Sequence, residues 1–166
     1  MLGHYGSFPQ NIHGIASFAT SISKKRLQQA LTKVLHKANN ETFNLEDLGY
    51  PSITKCEVIF EFGIAEANSF NYLDSEEASR IRKSIRKKPF QIMDFLCAIR
   101  YYKTKNGKKI PLKFDYYMLR FTFNKKSTEI QVFHERGPRH MTPEDTANFI
   151  VNRINKTFSK KILKAF

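Results

Sequence analysis

Apolar side chains recur along the chain with the two periods that distinguish helices from strands. Between residues 21 and 40, Leu27, Leu31 and Leu35 share the i, i+4 spacing of one helical face. Between residues 52 and 67, apolar and polar residues alternate, which predicts a strand with one buried face. The same criteria predict two more helices, at 74–88 and 142–158, and four more strands, at 12–20, 91–103, 110–123 and 128–135. We expect the tail, with Ile162, Leu163 and Phe166, to extend the last helix.

Short motifs indicate where these elements begin and end. Asp74 precedes two glutamates and resembles a capping box, and Pro89 stops the helix that Asp74 begins. Thr142 followed by Pro143 is typical of a helix start. Asn106-Gly107 lies between two strand-like segments and predicts a tight hairpin, because both positions favour positive φ.

The order of these elements predicts an α+β fold. A strand, a helix, a strand and a helix are followed by three consecutive strands and a last helix. We therefore expect a mostly antiparallel sheet of about five strands, with about three helices packed mainly on one face. No repeat or linker divides the 166 residues, so we expect a single domain, 1–166, whose residues 1–13 form an irregular arm.

The charge is strongly positive and unevenly distributed. The chain has 28 Lys and Arg and 15 Asp and Glu, a formal net charge of +13. Residues 80–128 contain fifteen bases and two acids, whereas residues 41–79 contain nine acids and one base. Such asymmetry indicates a basic surface that attracts polyanions, of which nucleic acids and acidic membranes are the obvious examples.

Other features exclude several classes of protein. Cys56 and Cys97 are too few for a disulfide scaffold, and both lie in apolar segments, so we expect buried thiols in a reducing, cytoplasmic compartment. No apolar segment approaches the roughly 20 residues of a membrane span, so we expect no membrane insertion. The sequence has neither a glycine-rich phosphate loop nor a zinc-ligand spacing, and we expect no cofactor and no metal site.

The segment 80–88 is the first candidate site. Six of its nine residues are basic, and on a helix they can follow a phosphate backbone while Ile81 and Ile85 face the core. Arginine also binds phosphate through two parallel hydrogen bonds. The residues that carry this interpretation are Arg80, Arg82, Lys83, Arg86 and Lys87. The alternative is a solvated helix face without a ligand.

Paired tyrosines in the predicted hairpin are a further candidate. In Tyr101-Tyr102 and in Tyr116-Tyr117, neighbouring side chains point to opposite faces of a strand. One member of each pair can therefore be buried while the other is exposed beside lysines, as in a base-stacking surface. The alternative is the ordinary strand preference of tyrosine.

The segment 134–140 is the second candidate site, because it joins a strand to the start of the last helix. Arg136 and Arg139 beside the free amides of that helix favour an anion. A catalytic interpretation makes His134 or His140 a general base paired with Glu135. The alternative is a connecting loop whose arginines form ion pairs within the protein.

These observations favour a basic nucleic-acid-associated module that binds RNA or DNA through the backbone and has no catalytic activity. The first alternative is an enzyme that acts on a phosphorylated or nucleic-acid substrate through 134–140. The second is an adaptor whose acidic and basic segments contact different protein partners in a larger assembly.

Overall fold

The computed structural model describes residues 1–50 and 53–166. In them the chain forms the helices α1 (Lys24–Ala38), α2 (Ser75–Lys87) and α3 (Pro143–Lys156). Ser23, Asp74 and Thr142 cap these helices, since each side chain accepts a backbone N–H of the first turn. Helices α2 and α3 therefore begin where the capping motifs predict.

One large antiparallel sheet contains all the strands of the described residues. The strands are β1 (Gly14–Thr20), β2 (Phe43–Asn44), β3 (Cys56–Glu66), β4 (Ser69–Tyr72), β5 (Ile92–Lys105), β6 (Lys108–Pro111), β7 (Asp115–Phe123), β8 (Ser127–Arg136) and β9 (Leu163–Ala165). Their order is β2-β3-β5-β7-β8-β1-β9, with β4 also on β3 and β6 also on β5. The α+β class with an antiparallel sheet and three helices is thus confirmed.

The prediction of about five strands was wrong, because the sheet has nine in the described residues. The additional strands β2, β4, β6 and β9 are only two to four residues long, too short to produce a recognisable alternation. The predicted strand 110–123 is divided into β6 and β7. The predicted start of β3 at Ser52 lies outside the described residues, and the strand itself begins at Cys56.

The predicted hairpin turn is confirmed. Asn106 and Gly107 connect β5 to β6 with φ of 53° and 75°. A glycine and an asparagine tolerate this left-handed backbone at little cost, which explains why the turn falls between them.

The tail does not extend the last helix, contrary to prediction. Helix α3 ends at Lys156, and β9 pairs with β1 through residues 163–165. The side chain of Asn155 causes this turn: its Oδ1 accepts the N–H groups of Ile162 and Leu163 at 3.1 and 3.0 Å, and its Nδ2 donates to the carbonyl of Leu163 at 3.0 Å. These bonds are satisfied only when the chain turns back.

The core lies between the helices and one face of the sheet. Alternate residues of β3 and β7, including Phe60, Phe62 and Phe121, are buried together with Leu31 of α1 and Ile150 of α3 in one apolar cluster. The intervening strand residues point to the opposite face, which we call the open face. This alternation is the period-two pattern that identified the long strands in the sequence.

The N-terminal arm covers part of the open face and contributes to a buried ion pair. Asp94 is fully buried, and both of its carboxylate oxygens accept hydrogen bonds from the Arg120 guanidinium, at 2.8 and 2.9 Å. The N–H of Tyr5 donates to the same carboxylate at 2.7 Å, and the ring of Phe8 lies 4.5 Å from the guanidinium carbon of Arg120. The arm therefore shields this pair from water.

We predict that Arg120→Ala lowers the free energy of unfolding by about 3 kcal/mol, because it leaves the buried Asp94 carboxylate without its counter-charge. Arg100→Ala is the matched control. Arg100 pairs with Glu61 on the same face, but both side chains are more than a third exposed, so its loss costs at most about 1 kcal/mol. Urea unfolding of both variants measures the difference, and equal destabilisation would contradict this account of the pair.

Candidate nucleic-acid interface

Helix α1 packs antiparallel to both α2 and α3, and this arrangement brings basic residues of the three helices together. Ser75 at the start of α2 lies beside His36 near the end of α1, and Lys25 at the start of α1 donates to the carbonyl of Arg86 near the end of α2. At the end of α3, the ring of Phe158 lies 5.5 Å from the guanidinium carbon of Arg26. The N-terminal turn of α1 thus meets the C-terminal turns of both neighbours.

Cations from all three helices line this region, which we call the helical basic surface. It comprises Lys25, Arg26, Lys33 and Lys37 of α1, Arg82 and Arg86 of α2, and Lys156 of α3. One groove of about 620 Å³ lies between α1, α2 and the end of α3, and a second of about 450 Å³ lies between α1 and α3. Neither groove is lined by a carboxylate among the described residues.

These cations also lack ion-pair partners among residues 1–50 and 53–166. The acidic residues of α2 and α3 lie in their first turns, at the opposite end of each helix. That placement follows the helix dipole, which favours acids at the N-terminus and bases at the C-terminus. The same preference therefore leaves the positive charge of the surface uncompensated.

Arg80 differs from the other predicted residues of α2, because it forms ion pairs within the protein. Its guanidinium binds the carboxylates of Glu66 and Glu77. Hydrogen bonds from Arg80 and then Asn71 lower the pKa of Glu66 to about 2. The structure thus places Arg80 in a local network, and Lys83 and Lys87 lie with it and Glu76 along a separate groove of α2. Of the predicted α2 residues, Arg82 and Arg86 belong to the helical basic surface.

Arg136 and Arg139, also predicted to contact nucleic acid, lie at the other end of the sheet. The end of α1 that carries Lys24 contacts Gln91, which lies beside the end of β7 at Phe123. Arg139 instead contacts the start of β7, where its backbone N–H donates to Asp115 at 2.7 Å. The nine residues of β7 span about 26 Å, so the two groups of arginines form separate surfaces.

A buried hydrogen-bond network organises the 134–140 segment. The Asp115 carboxylate is fully buried and accepts hydrogen bonds from the Tyr101 hydroxyl at 2.5 Å, from His134 Nε2 at 3.0 Å and from the backbone of Arg139. Burial and then the hydrogen bond to Asp115 raise the pKa of Tyr101, so this hydroxyl stays protonated. Asp115 thereby connects β5, β7, β8 and the segment itself.

The catalytic candidates do not form an acid–base pair in this geometry. His134 Nε2 faces Asp115, and its Nδ1 accepts from Arg139 Nε at 3.1 Å, so both ring nitrogens of His134 are engaged. The His134 side chain is only 8% exposed. His140 packs edge-on against Tyr101 and Glu135 is exposed, so His134 pairs with Asp115 rather than with Glu135.

Asp94 of β5 and Asp115 of β7 point to opposite faces of the sheet. Asp94 lies on the open face with Arg120, whereas Asp115 lies on the helix-covered face with Tyr101. No group of three or more His, Cys, Asp or Glu residues in the described ranges is arranged to hold a metal ion. The two carboxylates therefore do not converge on a common ligand.

The tyrosine pairs behave as strand alternation predicts. Tyr101 and Tyr117 are buried, and Tyr102 and Tyr116 are half-buried on the open face. The Tyr117 hydroxyl donates to the carbonyl of Met141, and burial followed by the Asp115 charge raises its pKa.

Comparison of the chain with protein-family models, with curated proteins and with solved structures gives no match. Among the helices that the structure describes, none is long and apolar enough to cross a membrane.

The sequence did not single out the contribution of α1 and α3 to the site. Lys25, Arg26 and Lys33 were visible as residues off the apolar stripe of the first helix, and Lys156 as a base in the last turn of the third. Their convergence depends on how the helices pack, for which a single sequence contains no direct signal.

We predict that Gly137→Ala destabilises the protein by more than about 1 kcal/mol. Gly137 has φ of 121°, and a Cβ there would overlap the Asp115 carboxylate and the carbonyl of Phe114. Gly6→Ala is the control, because an added Cβ meets no atom within 4 Å. Thermal unfolding of both variants tests the packing of the 134–140 segment, and a neutral Gly137→Ala would refute it.

Proposed function

We propose that this protein is a nucleic-acid-binding module that contacts the phosphate backbone through the helical basic surface. The observation that carries the proposal is that six cations without ion-pair partners, contributed by three helices, line the two grooves, and that no carboxylate of the described residues lines either groove. Binding of a polyanion there releases the counterions that are condensed on it. This release favours the complex whatever the base sequence of the polyanion.

The surface is long enough to follow several phosphates. Basic residues extend along α1 from Lys25 to Lys37, and this span corresponds to about 18 Å of helix. Arg82 and Lys156 lie on either side of α1, so the charges form a band rather than a single point. A band of cations suits an extended polymer better than a small anion.

Nucleic acid is favoured over a phosphorylated small molecule for a further reason. The grooves are open to solvent, whereas a site for a small ligand usually encloses most of the ligand surface. In the 134–140 segment, both ring nitrogens of His134 are occupied by protein groups. These observations support binding without catalysis.

We predict that Arg26→Gln combined with Arg82→Gln weakens binding to duplex DNA and to RNA of any sequence. Because two phosphate contacts are lost, the slope of log affinity against log salt should fall by roughly two. Fluorescence anisotropy with labelled oligonucleotides at several salt concentrations measures both quantities.

The matched control is Arg80→Gln combined with Lys108→Gln. This variant loses the same net charge, but Arg80 is held by Glu66 and Glu77. Lys108 lies beside the hairpin turn after β5, whereas the start of α1 contacts Gln91, which precedes β5. The control should retain most of the wild-type slope. An equal loss in both variants would show that binding follows only net charge, and the proposed surface would then be rejected.

A further inference from the structure

A second cluster of cations and aromatic rings lies on the open face, remote from the helical basic surface. It consists of Arg100 and Tyr102 of β5, Lys113 and Phe114 between β6 and β7, Tyr116 of β7 and Arg136 of β8. We call these six residues the aromatic–arginine cluster. Lys113 and Arg136 are exposed and the other four are half-buried, so the cluster is accessible to a ligand.

The rings and guanidinium groups are already stacked on one another. The guanidinium carbon of Arg136 lies 4.5 Å from the centre of the Tyr116 ring and 5.6 Å from that of Phe114. Arg100 lies 5.2 Å from the centre of the Phe114 ring. The Phe114 and Tyr116 rings meet edge to face at 4.9 Å. This stacking already restricts the side chains. A planar ligand that stacks on them therefore causes little further loss of side-chain conformational entropy.

A cavity of about 410 Å³ adjoins these stacked groups. It lies between the end of β5 and residues 111–114, and its lining is mainly apolar: Tyr102, Leu112 and Phe114 contribute to it. Arg100 and Lys113 line the same cavity. An apolar, aromatic recess with cations beside it suits a flat ring that is attached to a charged backbone.

The charge of the cluster also favours an anionic ligand. Glu61 and Glu57, the acids of the neighbouring strand β3, form ion pairs with Arg100 and Lys109. Arg136 and Lys113 form no ion pair with any carboxylate in the described ranges. The cations that remain are thus available to phosphates on either side of a stacked base.

We infer that the aromatic–arginine cluster binds unpaired bases of single-stranded nucleic acid. Bases stack on exposed aromatic rings and on guanidinium planes, whereas the bases of a duplex are stacked on one another and do not reach such a recess. This inference rests on the proposed function and extends it: the helical basic surface contacts backbone phosphates, and the open face selects strands with accessible bases.

The test compares three labelled probes of equal length by fluorescence anisotropy: oligo-dT, an abasic strand with the same phosphates, and a duplex. The affinity of the wild-type protein for oligo-dT should exceed its affinity for the abasic strand about tenfold. This is the effect expected when one base stacks on the protein. Tyr116→Ala should abolish that preference and leave the affinity for the duplex unchanged. Tyr116→Phe retains the ring and should retain the preference, which separates stacking from a loss of folding.

The outcomes distinguish the inference from the proposed function. Equal wild-type affinity for oligo-dT and the abasic strand would overturn the inference while leaving backbone binding intact. A preference for oligo-dT that persists in Tyr116→Ala and in Phe114→Ala would also overturn it. Loss of the preference in Tyr116→Phe would exclude stacking as its cause. If the wild-type protein binds no probe, both proposals fail. If the Arg26→Gln/Arg82→Gln variant loses binding to all three probes, the result supports the helical basic surface and gives no support to the aromatic–arginine cluster.

Discussion

Burial of the alternate strand side chains beneath the helices is the constraint on which the other features depend. Phe60, Phe62 and Phe121 leave water only if α1 and α3 cover one face of the sheet. In this layer α1 lies between α2 and α3 and packs antiparallel to each of them, although three strands separate α1 from α2 along the chain. The basic ends of the helices then meet as a consequence of core packing, without any direct attraction between them.

The resulting concentration of like charge opposes folding, because uncompensated cations repel one another. Helix dipoles offset part of this repulsion for Arg86 and Lys156, which lie in C-terminal turns. Lys25 and Arg26 lie in the first turn of α1, where the dipole of their own helix disfavours bases, and Lys25 instead donates to the Arg86 carbonyl in the last turn of α2. A first turn with bases and no acids costs stability, and it is a position at which the proposed phosphate ligand would be stabilised.

The sequence predicted the long elements because periodicity and capping are local. Asp74 and Thr142 marked the starts of α2 and α3 correctly, and Asn106-Gly107 marked the hairpin. The prediction failed for β9, because formation of that strand depends on hydrogen bonds from Asn155 and on pairing with β1.

For the candidate site, the sequence analysis singled out the basic helix α2 but grouped Arg80 with its neighbours. The ion pair of Arg80 with Glu66 joins residues fourteen positions apart, and only the fold brings them together.

The most direct test of the central claim is a titration of isotope-labelled protein with a short duplex, followed through backbone amide shifts in nuclear magnetic resonance spectra. The account predicts saturable shifts concentrated at residues 24–37, 82–88 and 153–158, with little change at 134–140. Saturable shifts centred on 134–140 would contradict it and place the ligand beside Asp115 and His134. Weak shifts spread over all exposed lysines would also contradict it, because they would show that the positive charge attracts the duplex without a defined binding site.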